Sequence, residues 1–178
     1  MNIFFLCALR CGADLRLLAR MYHKKHQKII LEIAQMLSTA VHVNLPEECA
    51  ERVYKPSHRH HPMTLWVCAS PYNALLAIRI AHALDGRFRK ERKSGKPHAS
   101  MAVVKCVSRL LVQHWDAMVN PQALERLQSQ TTATLCPVEG WVLPVTPIPA
   151  CVGGPVDSPN LVVQYKQYYA SKLSAWGE

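Results

Sequence analysis

The side chains best suited to chemistry lie in the segment 54–76, YKPSHRHHPMTLWVCASPYNALL. Pro56 and Pro62 each lack an amide donor and push the preceding residue out of the helical region, which predicts a turn between them. An imidazole titrates near neutral pH and therefore suits proton transfer or ligand binding. The turn carries three such groups and one cation: His58, Arg59, His60 and His61. The sequence predicts that this cluster sits at the mouth of two packed segments.

Glu32 is the candidate for carboxylate chemistry. It is the only acidic residue between Asp14 and Glu47, and it follows a run of cations. A carboxylate in that setting suits a general base or the stabilisation of a developing cation. A structural alternative stays open, in which Glu32 pairs with Lys28 one helical turn away and contributes about 0.3 kcal/mol.

Metal binding is a weaker interpretation of the histidines and cysteines. Neither of the two ligand sets has a recurrent zinc spacing. The sets are His58, His60 and His61 with Cys68, and Cys7 and Cys11 with His23 and His26. Glycine-rich nucleotide-binding motifs, a G-x-S-x-G motif and H-E-x-x-H do not occur in the sequence. We therefore expect no metal and no cofactor, although a metal- or small-ligand-binding helical protein stays open as a third reading.

The charge of the chain is uneven. Residues 1–110 hold 18 Lys and Arg against 7 Asp and Glu, whereas residues 111–178 hold 3 against 5. Such an excess favours a polyanionic partner, most often a nucleic acid, bound with salt-sensitive affinity. We expect DNA rather than RNA. Charge that serves only solubility is the alternative.

The densest cationic run is 87–98, RFRKERKSGKPH. Because Asp85-Gly86 reads as a helix stop, we predict an exposed loop here that contacts phosphates, with an ordinary basic loop as the alternative. Cations near the start of the helix predicted over 23–41 oppose its dipole, which favours a bound anion. The predicted phosphate contacts are Lys24, Lys25, Lys28, Arg59, Arg87, Arg89, Lys90, Lys93 and Lys96. Tyr165 and Tyr168 are candidates for stacking on bases, although packing of an aromatic helix face is the commoner use.

Hydrophobic periodicity predicts a mainly α protein. Ser70-Pro71 combines an N-cap hydroxyl with proline at the first helical position. Helices are predicted over 14–21, 23–41, 71–84, 99–115, 121–130 and 160–176. Residues 2–6 are predicted to form an extended arm, and the proline-rich segment 136–159 is predicted to be irregular. We expect a compact single-domain helical bundle over 1–178, with a short N-terminal extended arm and an irregular Pro-rich C-terminal loop.

Seven scattered cysteines form no C-x-x-C pair, which indicates reduced thiols and an intracellular, reducing compartment. The apolar opening ends at Arg10 and is too short for a membrane-spanning helix or a secretory core. The cytoplasm or the nucleus fits these features. A mitochondrial location stays open, because residues 10–28 are rich in Arg and Lys.

Several motifs carry a resemblance that spans nearly the whole chain. They are NIFFL over 2–6, K-x-x-x-K-x-x-L-E-x-A-Q-x-L-S-T-A over 24–40, YKPSH-x-x-HP-x-x-x-W over 54–66, S-x-x-N-x-x-L over 70–76, GKPH-x-S over 95–100 and YKQYYASK over 165–172. In these motifs the chain resembles a family of small proteins of phages and large DNA viruses. That family is in turn distantly similar to the pyrimidine-dimer DNA glycosylases of the endonuclease V type, in the order of its elements and in the residue types they carry.

The second resemblance implies an enzyme that excises a damaged base and nicks the abasic strand. Glu32 would stabilise the sugar cation, and His60 or His61 would contact or protonate the substrate. The attacking N-terminal amine would be that of Met1, since Asn2 is too bulky for removal of the methionine. The other hypothesis is a nucleic-acid-binding module without catalysis, within a larger assembly. One reason is the uneven charge, with the basic excess in residues 1–110. The other is that His23 or Lys24 occupies the position at which those enzymes have their catalytic carboxylate.

Overall fold

The structure, a computed structural model, describes residues 15, 19, 27–48, 52–92, 95–130, 135, 136, 145, 148 and 149. Its α-helices are α1 (Lys28–Asn44), α2 (Pro62–Ala69), α3 (Pro71–Arg92), α4 (Met101–Gln113) and α5 (Pro121–Gln130). Single 3-10 turns lie at Pro46–Glu48 and Asp116–Met118. Leu15 and Ala19 are also helical. The mainly α fold predicted from periodicity is confirmed.

Helix α1 lies at the centre of the packing and contacts α2, α3 and α4. Its apolar positions recur at helical spacing, so one broad face of the helix is available for burial. The predicted stripe of Ile29, Ile33, Met36, Leu37, Ala40 and Val41 is buried throughout, which confirms it. Trp66 of α2 is fully buried in the same core.

Polar side chains define where the helices begin. The Ser70 hydroxyl accepts the Tyr72 amide at 3.2 Å, which confirms the predicted cap of α3. The side-chain oxygen Oδ1 of Asn120 accepts the Ala123 amide at 2.9 Å at the start of α5. Asn73, in the S-x-x-N-x-x-L motif, is buried and donates to the carbonyl of Trp66 at 2.8 Å. The asparagine of this motif therefore joins α3 to α2.

The predicted end of α3 at Asp85-Gly86 is wrong, because the helix continues to Arg92. Residues 87–92 are therefore helical, and residues 95–98 of the predicted basic loop are loop. A glycine ends a helix by adopting a left-handed conformation. Gly86 does not, whereas Gly95 has φ +63°. Two ion pairs one turn apart, Arg89–Asp85 and Arg87–Glu91, support the added turns.

The segment 136–159, predicted to be irregular, contains paired strand residues. Strand β1 (Leu135–Cys136) runs antiparallel to β2 (Ile148–Pro149), with Cys136 opposite Ile148. Val145, between the strands, is buried, and β2 contacts α2. Val145 and strand β2 thus pack on the helices. The predicted arm over 2–6 and the C-terminal helix over 160–176 lie outside the described residues.

Candidate nucleic-acid interface

Two loops that share a Lys-Pro dipeptide lie against each other. We call residues 54–61 the first loop and residues 95–100 the second loop. The Tyr54 hydroxyl donates to the Ser100 hydroxyl oxygen at 3.1 Å, although 46 residues separate them. This contact brings together the YKPSH and GKPH-x-S motifs. Their two lysines, Lys55 and Lys96, are both exposed.

The first loop is held by one face of α1. The Tyr54 amide donates to the Ser38 hydroxyl oxygen at 3.1 Å. The Thr39 hydroxyl both donates to the Ser57 carbonyl and accepts the Ser57 amide, each at 3.0 Å. The Nε2 atom of His42 lies 3.0 Å from the Tyr54 carbonyl. The S-T pair of the α1 motif therefore positions the loop that carries the histidines.

The second loop is held by Asp85, whose side chain is buried in α3. One carboxylate oxygen accepts the His98 amide at 2.7 Å, and the other accepts the Arg89 Nε at 2.8 Å. The His98 ring packs edge-on against Phe88, with centroids 5.1 Å apart. The guanidinium of Arg92 stacks over the Phe88 ring, with its central carbon 5.2 Å from the ring centroid. A cation–π contact of this kind orients the guanidinium at the edge of the loop.

Four exposed cations border the paired loops, and we call them the loop surface. They are Lys55, Arg59, Arg92 and Lys96. His58 and His60 are exposed beside them. His58 has φ +48°, a conformation that few residues other than glycine adopt. Phosphate oxygens would meet both ammonium and guanidinium donors on this surface.

Arg87 and Arg89, both predicted phosphate contacts, are bonded within the protein. Arg87 donates to Glu91 at 2.6 Å and to the Ala19 carbonyl at 2.8 Å. Glu91 also accepts from Gln27 at 2.8 Å, so this pair ties α3 to the start of α1. Arg89 is bonded to the buried carboxylate of Asp85. These two arginines hold elements of the fold together, while Lys28 and Lys90 are exposed.

His61 acts as the N-cap of α2. Its Nδ1 accepts the Met63 amide at 3.2 Å, and the ring is only partly exposed. Burial, the largest cause, lowers the pKa of His61 to about 4. The imidazole is therefore neutral at pH 7, and only its Nε2 is left to meet a substrate. Of the two predicted catalytic histidines, the exposed His60 is better placed for proton transfer.

Glu32 lies on the face of α1 that carries the first loop. Seven residues separate Glu32 from Thr39, which places them on one face about 10 Å apart along the axis. The ion pairs within the described part of the chain are Arg87–Glu91, Arg89–Asp85 and His114–Glu48. Glu32 takes part in none of them, including the i, i+4 pair expected with Lys28. Its half-exposed carboxylate therefore stays a candidate for chemistry.

Sequence reasoning missed two basic side chains of α3. Arg79 and His82 are exposed on α3, on the side that also presents Gly86 and Lys90. These four residues follow one another at spacings of three or four, so they share one helix face if the helix continues through Gly86. Because we predicted that the helix ends at Asp85-Gly86, the shared face was not recognised from the sequence.

Several predicted site residues lie outside the described residues. These are Met1, Lys24, Lys25, Lys93, Tyr165 and Tyr168. Among the residues that the structure describes, no group of three or more His, Cys, Asp or Glu side chains could hold a metal ion. Over the same residues, no helix is long and apolar enough to cross a membrane.

Comparison with protein-family models, curated proteins and solved structures gives no match, so the function rests on the site.

Proposed function

We propose that the protein binds DNA through the loop surface, with Lys55, Arg59, Arg92 and Lys96 as phosphate contacts. The observation that carries the proposal is the Tyr54–Ser100 hydrogen bond, which holds the two Lys-Pro loops side by side. Backbone contacts of this kind give affinity and fix orientation without reading sequence.

The charge balance around the loops supports a polyanionic ligand. Residues 52–60 and 79–100 hold ten Lys and Arg side chains and two acids. Both acids, Asp85 and Glu91, are bonded within the protein. Ten cations against two acids give these residues a formal net charge of +8, which produces a positive field around the loops. Such a field attracts phosphates and is weakened by salt.

The proposal is tested by removing one cation from each loop. We expect Lys55→Gln/Lys96→Gln to reduce the slope of log affinity against log salt by about 1.8, since each phosphate contact on duplex DNA contributes about 0.9. The matched control is Arg109→Gln/Arg126→Gln, which removes two exposed cations from α4 and α5. Equal losses in both variants would show a general effect of net charge and would reject the loop surface.

Base excision with abasic-strand nicking is the second candidate function. It is favoured by Glu32, whose carboxylate lies on the α1 face that carries the histidine loop and has no ion-pair partner among the described residues. An enzyme of this type takes its target base out of the stack. His60 would then be the proton donor.

Borohydride trapping on duplexes with an abasic site or a pyrimidine dimer tests this chemistry. A trapped adduct whose attacking amine maps to Met1 would establish an imine mechanism. Glu32→Gln would then abolish strand scission and leave binding unchanged, and retained scission would reject Glu32. Tight, salt-dependent binding without an adduct would instead favour a non-catalytic module within a larger assembly.

A reducing compartment is proposed with either function. Cys68 and Cys106 are free cysteines, and burial raises the pKa of the Cys68 thiol to about 12. Such a thiol stays protonated and behaves as a small apolar side chain.

A further inference from the structure

One side of α3 forms a second basic surface, which we call the outer face. It consists of Arg79, His82, Gly86 and Lys90, all exposed. Their spacing of three, four and four residues places them along one side of the helix. The twelve residues from Arg79 to Lys90 span about 16 Å. The helix therefore presents a straight line of nitrogen donors with an open position between them.

Among the residues that the structure describes, neither packing nor backbone geometry explains Gly86. A glycine in the middle of a helix is less stable than an alanine. Gly86 adopts no left-handed conformation, and a Cβ atom built on it would meet nothing within 4 Å. Packing and backbone geometry would both accept a side chain. Its absence leaves the helix backbone open to close approach by a partner that contacts the cations on either side.

The outer face carries no acid. The two acidic residues of α3, Asp85 and Glu91, bond to Arg89 and Arg87 within the protein. Arg89 lies one residue before Lys90 and is anchored at the second loop through Asp85. Lys90 of the outer face and Arg92 of the loop surface lie two residues apart near the C-terminal end of α3. Cations in a line along a rigid helix match the repeating charges of a phosphate backbone.

We propose that the outer face of α3 binds a backbone strand of duplex DNA. Arg79 and Lys90 contact phosphates, His82 donates to a backbone oxygen, and the strand passes closest to the helix at Gly86. This inference rests on the proposed function for the identity of the ligand and adds a contact line to the loop surface.

The test measures binding of a labelled duplex by anisotropy over a range of salt concentrations. Arg79→Gln/Lys90→Gln is expected to reduce the slope of log affinity against log salt by about 1.8, as two lost phosphate contacts require. The control Arg109→Gln/Arg126→Gln is expected to leave the slope near that of the wild type.

Three variants test Gly86, and two of them, Gly86→Glu and Gly86→Gln, introduce side chains of similar size. Gly86→Glu is expected to weaken binding more than Gly86→Gln, because it sets a carboxylate against the phosphates. Gly86→Gln is expected to weaken binding relative to Gly86→Ala by steric hindrance. Thermal unfolding checks that all three variants fold. Equal affinity of the three would overturn the assignment of Gly86.

The outcomes separate this inference from the proposed function. If wild-type protein does not bind duplex DNA, both are overturned. If Lys55→Gln/Lys96→Gln reduces the slope of log affinity against log salt while Arg79→Gln/Lys90→Gln does not, only the outer face is overturned. If the control variant loses as much slope as the outer-face variant, the effect belongs to net charge and the outer face is again overturned.

Discussion

His61 and His98 use their imidazoles in the same way. The Nδ1 atom of each accepts the backbone amide two residues further on, that of Met63 or that of Ser100, at 3.2 Å. Burial is the largest cause lowering the pKa of both rings. An imidazole that accepts at Nδ1 must be unprotonated there. These motif histidines therefore shape the two loops, which leaves the exposed His58 and His60 for contact with a ligand.

Replacement of His61 separates its capping role from its chemistry. We expect His61→Ala to lower the free energy of unfolding by about 1 kcal/mol, as loss of a helix N-cap does. His61→Asn keeps a short acceptor at the cap and should lie close to the wild type. Urea unfolding at pH 7 measures both. Equal losses in the two variants would contradict the capping role.

The lowered pKa of His61 predicts a pH dependence of stability. Because the folded-state value of about 4 lies below the ordinary 6.5, the unfolded chain binds more protons between these values. This contribution to stability is complete above pH 6.5 and is lost as the pH falls towards 4. The wild type should therefore lose more stability between pH 7 and pH 5 than His61→Asn. Urea unfolding at the two pH values checks this, and a larger loss in His61→Asn would contradict it.

At the scale of elements, α3 passes through Gly86 because its neighbours favour helix. Asp85 and Arg89 form one i, i+4 pair, Arg87 and Glu91 form another, and Phe88 packs against the core. These contacts offset the weak helix propensity of a single glycine. Beyond the helix end at Arg92, Gly95 adopts the left-handed conformation, with φ +63°.

The two glycines give opposite predictions for the same substitution. Gly86→Ala should raise the free energy of unfolding by about 1 kcal/mol, since alanine has a higher helix propensity than glycine and the new Cβ meets nothing within 4 Å. Gly95→Ala should lower it by about 1 kcal/mol, because an L residue is strained in the left-handed region. Urea unfolding compares them. A destabilising Gly86→Ala would mean that the helix does not pass undistorted through this position.

Local patterns and long-range contacts differ in how far the sequence reveals them. The apolar stripe of α1 and the Ser70-Pro71 start of α3 are local, so periodicity and capping chemistry predicted them. The end of α3 depends on ion pairs and on packing of Phe88, which the glycine signal does not report. The Tyr54–Ser100 bond joins positions 46 residues apart, and no local pattern indicates such a partner.

At the scale of the whole molecule, the long α3 joins the two proposed contact surfaces. The loop surface lies where Asp85 anchors the second loop, and the outer face runs back along the helix to Arg79. A rigid helix and anchored loops lose little backbone freedom when a phosphate binds, which favours association. The site predicted as one basic loop is thus divided between a helix and two loops, with Arg87 and Arg89 holding the elements together.

The most direct test of DNA binding through these surfaces is a salt titration of the wild-type protein on duplex DNA. Six exposed cations are proposed as phosphate contacts: Lys55, Arg59, Arg79, Lys90, Arg92 and Lys96. At about 0.9 per contact, log affinity should fall against log salt with a slope of about −5, or roughly a thousand-fold between 50 and 200 mM salt. Binding that does not change with salt, or no binding at low salt, would contradict the account.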